Sequence, residues 1–215
     1  MPYTPDLDTL LVDGHRQSRK KTEFIIESRA LAPAVLPTGR IVAADGYPTS
    51  DDEPFAATIP PGTHPMYAWV AVLCERGKEV DRRNAALELR VSEAPTVSWE
   101  MAVTEDESIG DLEAEDDYVG FEVDSGRATI ADAASCEALG RWDFSRVETV
   151  YIPRPLPQKP VPGYVTAVVD PASGANLPVV GSGWGDGAYP VFIGRDTEGG
   201  ITRFVADFML LSDAH

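Results

Sequence analysis

Histidine and cysteine are scarce in this 215-residue chain, which has three of the first and two of the second. His15, His64 and His215 lie far apart, and Cys74 and Cys136 share no C-x-x-C spacing. A structural zinc site needs Cys and His ligands grouped together, so zinc is disfavoured. A nucleophile paired with an imidazole fares no better. Ser182 sits in Gly181-Ser182-Gly183, without the G-x-S-x-G spacing of a hydrolase elbow. Cys74 lies in an apolar run where a thiol acts as a small hydrophobe, and Cys136 has no evident basic neighbour. No D-x-D-x-D-G calcium ladder is present, nor a glycine loop of the phosphate-cradling kinds. No cofactor is therefore expected, with a divalent cation held by aspartates as the alternative.

Long apolar runs are missing as well. Nothing approaches the roughly 20 residues of a membrane-spanning helix, and residues 1–13 lack the basic then apolar order of a signal peptide. Two free thiols in a reducing cytoplasm are the simplest account of the cysteines. Basic residues form the third shortage: 18 Lys and Arg stand against 35 Asp and Glu, a formal net charge of −17. Such a field repels nucleic-acid phosphates and anionic lipid, so neither is an expected partner. A basic protein or a cation would be attracted, although acidic surfaces also serve solubility alone.

Turn-forming residues are plentiful, with eighteen glycines and eighteen prolines. They divide the chain into short extended segments. Residues 1–22 read as a polar, solvated leader carrying the basic cluster Arg16, Arg19, Lys20 and Lys21. Strands are expected at Phe24-Ile25-Ile26, at 40–44 after the turn Leu36-Pro37-Thr38-Gly39, and at 66–74, the last buried on both faces. Residues 85–91 alternate Leu87, Leu89 and Val91 with Glu88 and Arg90, a half-exposed strand. The pattern continues over 97–103. Residues 45–54 and 104–117 read as acidic loops.

A hairpin is expected over 121–130, closed by Ser125-Gly126. Phe121 then faces Ile130, Val123 faces Ala128 and Asp124 faces Arg127, so like meets like at every rung. Residues 132–139 form the one helix candidate, with Asp132 as N-cap and Gly140 as its stop. Five prolines make 152–163 a stiff connector. Further strands fall at 164–169 and 177–180, and no internal repeat is present. About ten short strands with one short helix imply a mainly β, antiparallel sandwich-like single domain over 23–215.

The segment Ser182-Gly183-Trp184-Gly185-Asp186-Gly187 alternates glycine with a Trp and an Asp ahead of two strand-like runs, 189–194 and 201–211. With a turn through 196–199, Gly194 falls near Ile201, Phe192 near Arg203 and Ala188 near Asp207. That register carries Asp207 to the mouth of the loop. A carboxylate flanked by Ala206 and Phe208 needs a partner, because unpaired burial of charge is costly. Loop N–H groups, Arg203 or a cation shared with Asp186 are the candidates. Ser182, Trp184, Asp186 and Asp207 are thus the candidate ligand- or partner-binding residues, while Asp124, Asp132, Asp186 and Asp207 are the candidates for a shared cation.

Several motifs occur together in order. They are Leu36-Pro37-Thr38-Gly39-Arg40 with Ala44-Asp45, Pro61-Gly62-Thr63, Trp99 with Ala102, Val123-Asp124-Ser125-Gly126 with Asp132, and the 182–187 segment with Asp196, Gly199 and Asp207-Phe208. In these the chain resembles the bacterial domain-of-unknown-function family DUF4241 over roughly 36–211. The segment 182–187 is the most specific part of the likeness. Asp45-Gly46-Tyr47-Pro48 departs from it, since family members tend to place Pro directly after Asp. The resemblance implies a single domain of bacterial, cytoplasmic type and carries over no catalytic residue. The expected function is a non-enzymatic binding module, immunity-like in neutralising a basic partner. The alternative is a metal-assisted hydrolase, which requires at least three of the four aspartates to converge.

Overall fold

The computed structural model describes residues 2–47, 52–114 and 116–212. The middle of the expected acidic loop 45–54 and His215 lie outside them. The chain opens with α1 (Leu7–Leu10), β1 (Arg16–Arg19), β2 (Thr22–Ala30), β3 (Ala34–Leu36) and β4 (Ile41–Asp45). It continues through β5 (Gly62–His64), β6 (Met66–Glu75), β7 (Lys78–Arg90) and β8 (Ser98–Met101). Then come β9 (Phe121–Val123), β10 (Arg127–Asp132), α2 (Ala133–Leu139) and α3 (Phe144–Tyr151). The last third is β11 (Val165–Asp170), β12 (Ala175–Gly181), β13 (Gly187–Tyr189), β14 (Val191–Arg195) and β15 (Ile201–Asp207).

A seven-stranded sheet in the order β1-β2-β6-β7-β15-β14-β8 faces a four-stranded sheet in the order β11-β12-β10-β4. Every pairing in both is antiparallel. Val70, Leu87, Ile193 and Phe204 on the larger sheet meet Ile41, Ile130 and Val180 on the smaller, forming the central core. Each sheet is also covered on its far side. Val42, Ala131, Leu177 and Val179 lie under Cys136 and Leu139 of α2 and Tyr151 of α3. Ile26, Trp69, Phe192 and Val205 lie under Leu7 and Leu10 of α1. The mainly β, antiparallel sandwich read from the sequence is therefore present, in thicker form.

That second covering layer explains most departures from expectation. Residues 7–19, expected as solvated leader, are part of the fold: Leu7 and Leu10 are buried and β1 pairs with β2 from Arg16↔Ile25 to Arg19↔Thr22. Burying two leucines stabilises by about 1.5–3 kcal/mol each, enough to dock a short polar segment. The expected half-exposed strand 85–91 belongs to β7, whose Glu88 is fully buried. Alternation marks two chemically different faces, and here both are covered.

The hairpin expected over 121–130 does not form. β9 pairs with β13, placing Val123 opposite Gly187, while β10 lies between β12 and β4. Ser125-Gly126 is a corner between two sheets, with Gly126 at φ +66°. Asp45 holds that corner by accepting from the N–H groups of Asp124 and Ser125 at 2.9 and 2.8 Å. Arg127 consequently does not meet Asp124. Its buried guanidinium stands over the Tyr47 ring and donates to the Tyr151 carbonyl, and burial lowers its pKa.

Asp132 caps α2 and Gly140 ends it, as expected. α3 is additional, begun by Asp143, whose carboxylate accepts from the Arg146 N–H. Residues 152–163 join α3 to β11 without helix or strand. Both thiols are free. Among the described residues no helix is long and apolar enough to cross a membrane.

Candidate functional site

The loop 182–187 is fastened at several points. Ser182 is buried, donates its hydroxyl to the Gly185 carbonyl at 2.8 Å and takes the Gly126 carbonyl with its own N–H at 3.0 Å. The Tyr189 hydroxyl bridges the carbonyls of Ser182 and Gly185 at 3.1 and 2.7 Å. Gly183 has φ +49°, and a Cβ there would lie 2.9 Å from both Cβ and the carbonyl oxygen of Phe208. Glycine is required at that point because the loop backbone rests directly on Phe208. Trp184 projects from this base, 49% exposed, with the Arg83 guanidinium 4.4 Å from its ring centroid. Asp186 is also exposed.

Asp207 is not at the mouth of this loop. The C-terminal hairpin forms with Phe192↔Val205 and Gly194↔Arg203, two residues away from the expected register. The Asp207 N–H pairs with the Pro190 carbonyl at 3.0 Å, and Ala188 crosses to β9 instead. The connection takes up two more residues than expected: Asp196, accepting from the Glu198 and Gly200 N–H groups, organises a longer turn closed by Arg195↔Ile201, and a bulge follows between Gly194 and Arg195. Alternation then sends Ala206 and Phe208 into the central core and Asp207 to the opposite face.

There Asp207 is 3% exposed at the floor of a cleft of about 480 Å³ beneath the N-terminal segment. It accepts from the Tyr3 hydroxyl and the Met209 N–H, both at 2.8 Å. Burial raises its pKa from 3.8 to about 6, with those two bonds opposing. Burial, then the Asp207 charge, pushes the Tyr3 hydroxyl well above its ordinary value.

The aspartates considered for a shared cation are spent separately. Asp132 is fully buried and takes four donors: the N–H groups of Thr38, Gly39 and Ala134 and the Thr38 hydroxyl, at 2.8–3.0 Å. It ties the Leu36–Gly39 turn to the start of α2. Asp124 is exposed at the sheet corner, Asp186 lies on the glycine loop, and Asp207 faces the N-terminal cleft. Among the described residues no three His, Cys, Asp or Glu side chains are grouped to hold a metal ion.

Two features escaped the sequence. The first is Glu88, which accepts from Trp69 Nε1 at 2.8 Å and Arg90 Nε at 2.9 Å, with Arg203 Nη1 at 3.3 Å. The i, i+2 spacing of Glu88 and Arg90 was the available signal. The second is a cleft of about 350 Å³ beside the 104–117 segment. Asp52, Glu53, Asp106, Glu107 and Glu122 line it, with Phe55 and Phe121 among its apolar residues and no Lys, Arg or His among the described lining.

A family model described as "Protein of unknown function (DUF4241)" matches residues 34–206, a span that stops one residue short of Asp207. No curated protein and no solved structure matches the chain.

Proposed function

We propose that this chain, which belongs to the DUF4241 family, is a non-enzymatic binding module whose partner is a basic protein. The carboxylate-walled cleft beside residues 104–117 is the receiving surface. One observation carries this reading: the carboxylates of Glu53, Asp106, Glu107 and Glu122 and two phenylalanines line a single cleft that no described basic side chain enters. A partner Arg or Lys would lay its aliphatic stem on the apolar floor and bring its charge to the carboxylates, with an added cation–π attraction of about 0.5–2 kcal/mol. The net charge of −17 extends the attraction outward and steers encounter. An immunity-type protein that neutralises a basic toxin in a bacterial cytoplasm would have these properties.

The metal-assisted hydrolase reading has less support, because its four aspartates stand on separate elements and Asp132 is fully engaged by four donors. In the test, the immobilised chain captures protein from a cell extract at about 50 mM salt and is washed at about 500 mM, where the screening length falls to roughly a third. A basic protein retained at the first condition and released at the second, and not captured by Asp106→Lys/Glu122→Lys, is the expected result. Capture indifferent to both salt and charge reversal would overturn the proposal.

A further inference from the structure

Asp207 presents an electrostatic imbalance that the fold leaves uncorrected. Its carboxylate is 3% exposed, and among the described residues no Lys, Arg or His forms an ion pair with it. Two neutral donors, Tyr3 and Met209, are its hydrogen-bond partners, and a carboxylate has acceptor capacity for about four. A buried anion of this kind is costly unless a cation or further donors reach it. It is nonetheless accessible from one side, since it lines a cleft of about 480 Å³.

The rest of the cleft is suited to a positively charged guest. Asp6 lines the wall at the exposed end, held by the Thr9 N–H and hydroxyl at 3.1 and 2.6 Å. Leu10 and Leu211 supply apolar wall. Arg16 also lines the cleft, but its guanidinium is 3.0 Å from Glu23, which offsets its charge. His15 is the remaining ionisable side chain on the lining, and Tyr118, whose hydroxyl is pushed up by burial and then by the Asp207 charge, packs its ring 5.9 Å from that of Tyr3.

We infer that this cleft binds a small organic amine, an ammonium or guanidinium whose N–H groups reach Asp207 while a second polar or cationic end lies toward Asp6. The site is separate from the acidic cleft proposed above, and its ligand is a small molecule instead of a protein. Binding requires ionised Asp207, so it strengthens as pH rises through about 6 and weakens below.

Agmatine, which has a cationic group at each end, is the probe. Titrated calorimetrically into the full chain, it is expected to bind at pH 7.5 and to bind about tenfold more weakly at pH 5, where about one-tenth of Asp207 remains ionised. Asp207→Asn, which keeps the side-chain volume, an oxygen to accept from the Met209 N–H and an amide N–H that can donate to the Tyr3 oxygen, is expected to abolish binding while remaining folded. His15→Gln should leave the pH profile in place. Pentanol, of similar apolar reach but uncharged, should not bind. Asp106→Lys/Glu122→Lys should still bind agmatine, which separates this site from the acidic cleft and from diffuse attraction to an acidic surface. Equal affinity for wild type and Asp207→Asn, a flat pH profile, or no heat at about 10 mM agmatine (weaker than the roughly millimolar affinity worth about 4 kcal/mol) would overturn the inference.

Discussion

Replacing Asp207 with Asn should make the unliganded protein more stable at pH 8 and slightly less stable at pH 4. The carboxyl has a pKa near 3.8 in an unfolded chain and about 6 in the fold. The folded state therefore holds the proton more tightly. Below about pH 4 both states are protonated and burial costs nothing in charge. Between pH 4 and 6 the unfolded state ionises first, and stability falls as pH rises. Above pH 6 the cost is complete. A shift of about two units at roughly 1.4 kcal/mol each amounts to about 3 kcal/mol. The Asn amide brings two donors that also need partners, which offsets part of the gain, so about 2 kcal/mol is expected. For a chain of this length that is a rise in Tm of roughly 4–8 °C. Thermal unfolding of wild type and variant at pH 4, 6 and 8 reads the effect directly. A variant equally destabilised at all three values would refute the reasoning, because a pH-independent loss means that folding does not raise the Asp207 pKa.

Other perturbations separate the structural parts. Asp132→Ala removes the buried acceptor of four donors and should cost about 2–4 kcal/mol in urea unfolding, with Asp132→Asn recovering part of it. Gly39→Ala should cost about 3 kcal/mol or more, because a Cβ would stand 1.8 Å from the Ile59 carbonyl oxygen at φ +71°. Gly185→Ala, with φ +114° but nothing within 4 Å, should cost only about 1–2 kcal/mol in the same assay. Tyr189→Phe deletes the hydroxyl that bridges two loop carbonyls and should destabilise by about 1–3 kcal/mol. Trp184→Ala should change stability by less than about 1 kcal/mol, since the ring is half exposed. A larger loss for Trp184→Ala than for Tyr189→Phe would contradict the description of the loop as a corner braced from beneath.

Local patterns were legible in the sequence wherever one short segment decided the outcome. The turn at 36–39, the cap and stop of α2, the strands at 66–74 and 177–180 and the existence of the C-terminal hairpin all depend on residues close together in the chain. Partner choice between strands does not. Residues 121–130 satisfy a hairpin at every rung, yet β10 is buried on both faces and gains two neighbours by joining the smaller sheet. Ser125-Gly126 suits a corner as well as a turn. The same limit moved Asp207: two residues of register, set by Asp196 inside the turn, decide which strand residue lies opposite it. Its partner Tyr3 lies 204 residues away, beyond any reading based on spacing. The acidic cleft draws its walls from residues 52–53, 106–107 and 122, so composition announced the charge without indicating where it gathers.

The proposal of a basic partner rests on that gathering, and one measurement tests it most directly. The affinity of the captured basic protein is compared for wild type and Asp106→Lys/Glu122→Lys at about 50 and 200 mM salt. If the cleft is the receiving surface, charge reversal should weaken binding at least tenfold, about 1.4 kcal/mol or more, and added salt should weaken wild-type binding far more than the variant's residual binding. Equal affinities for the two proteins at both salt concentrations would contradict the account.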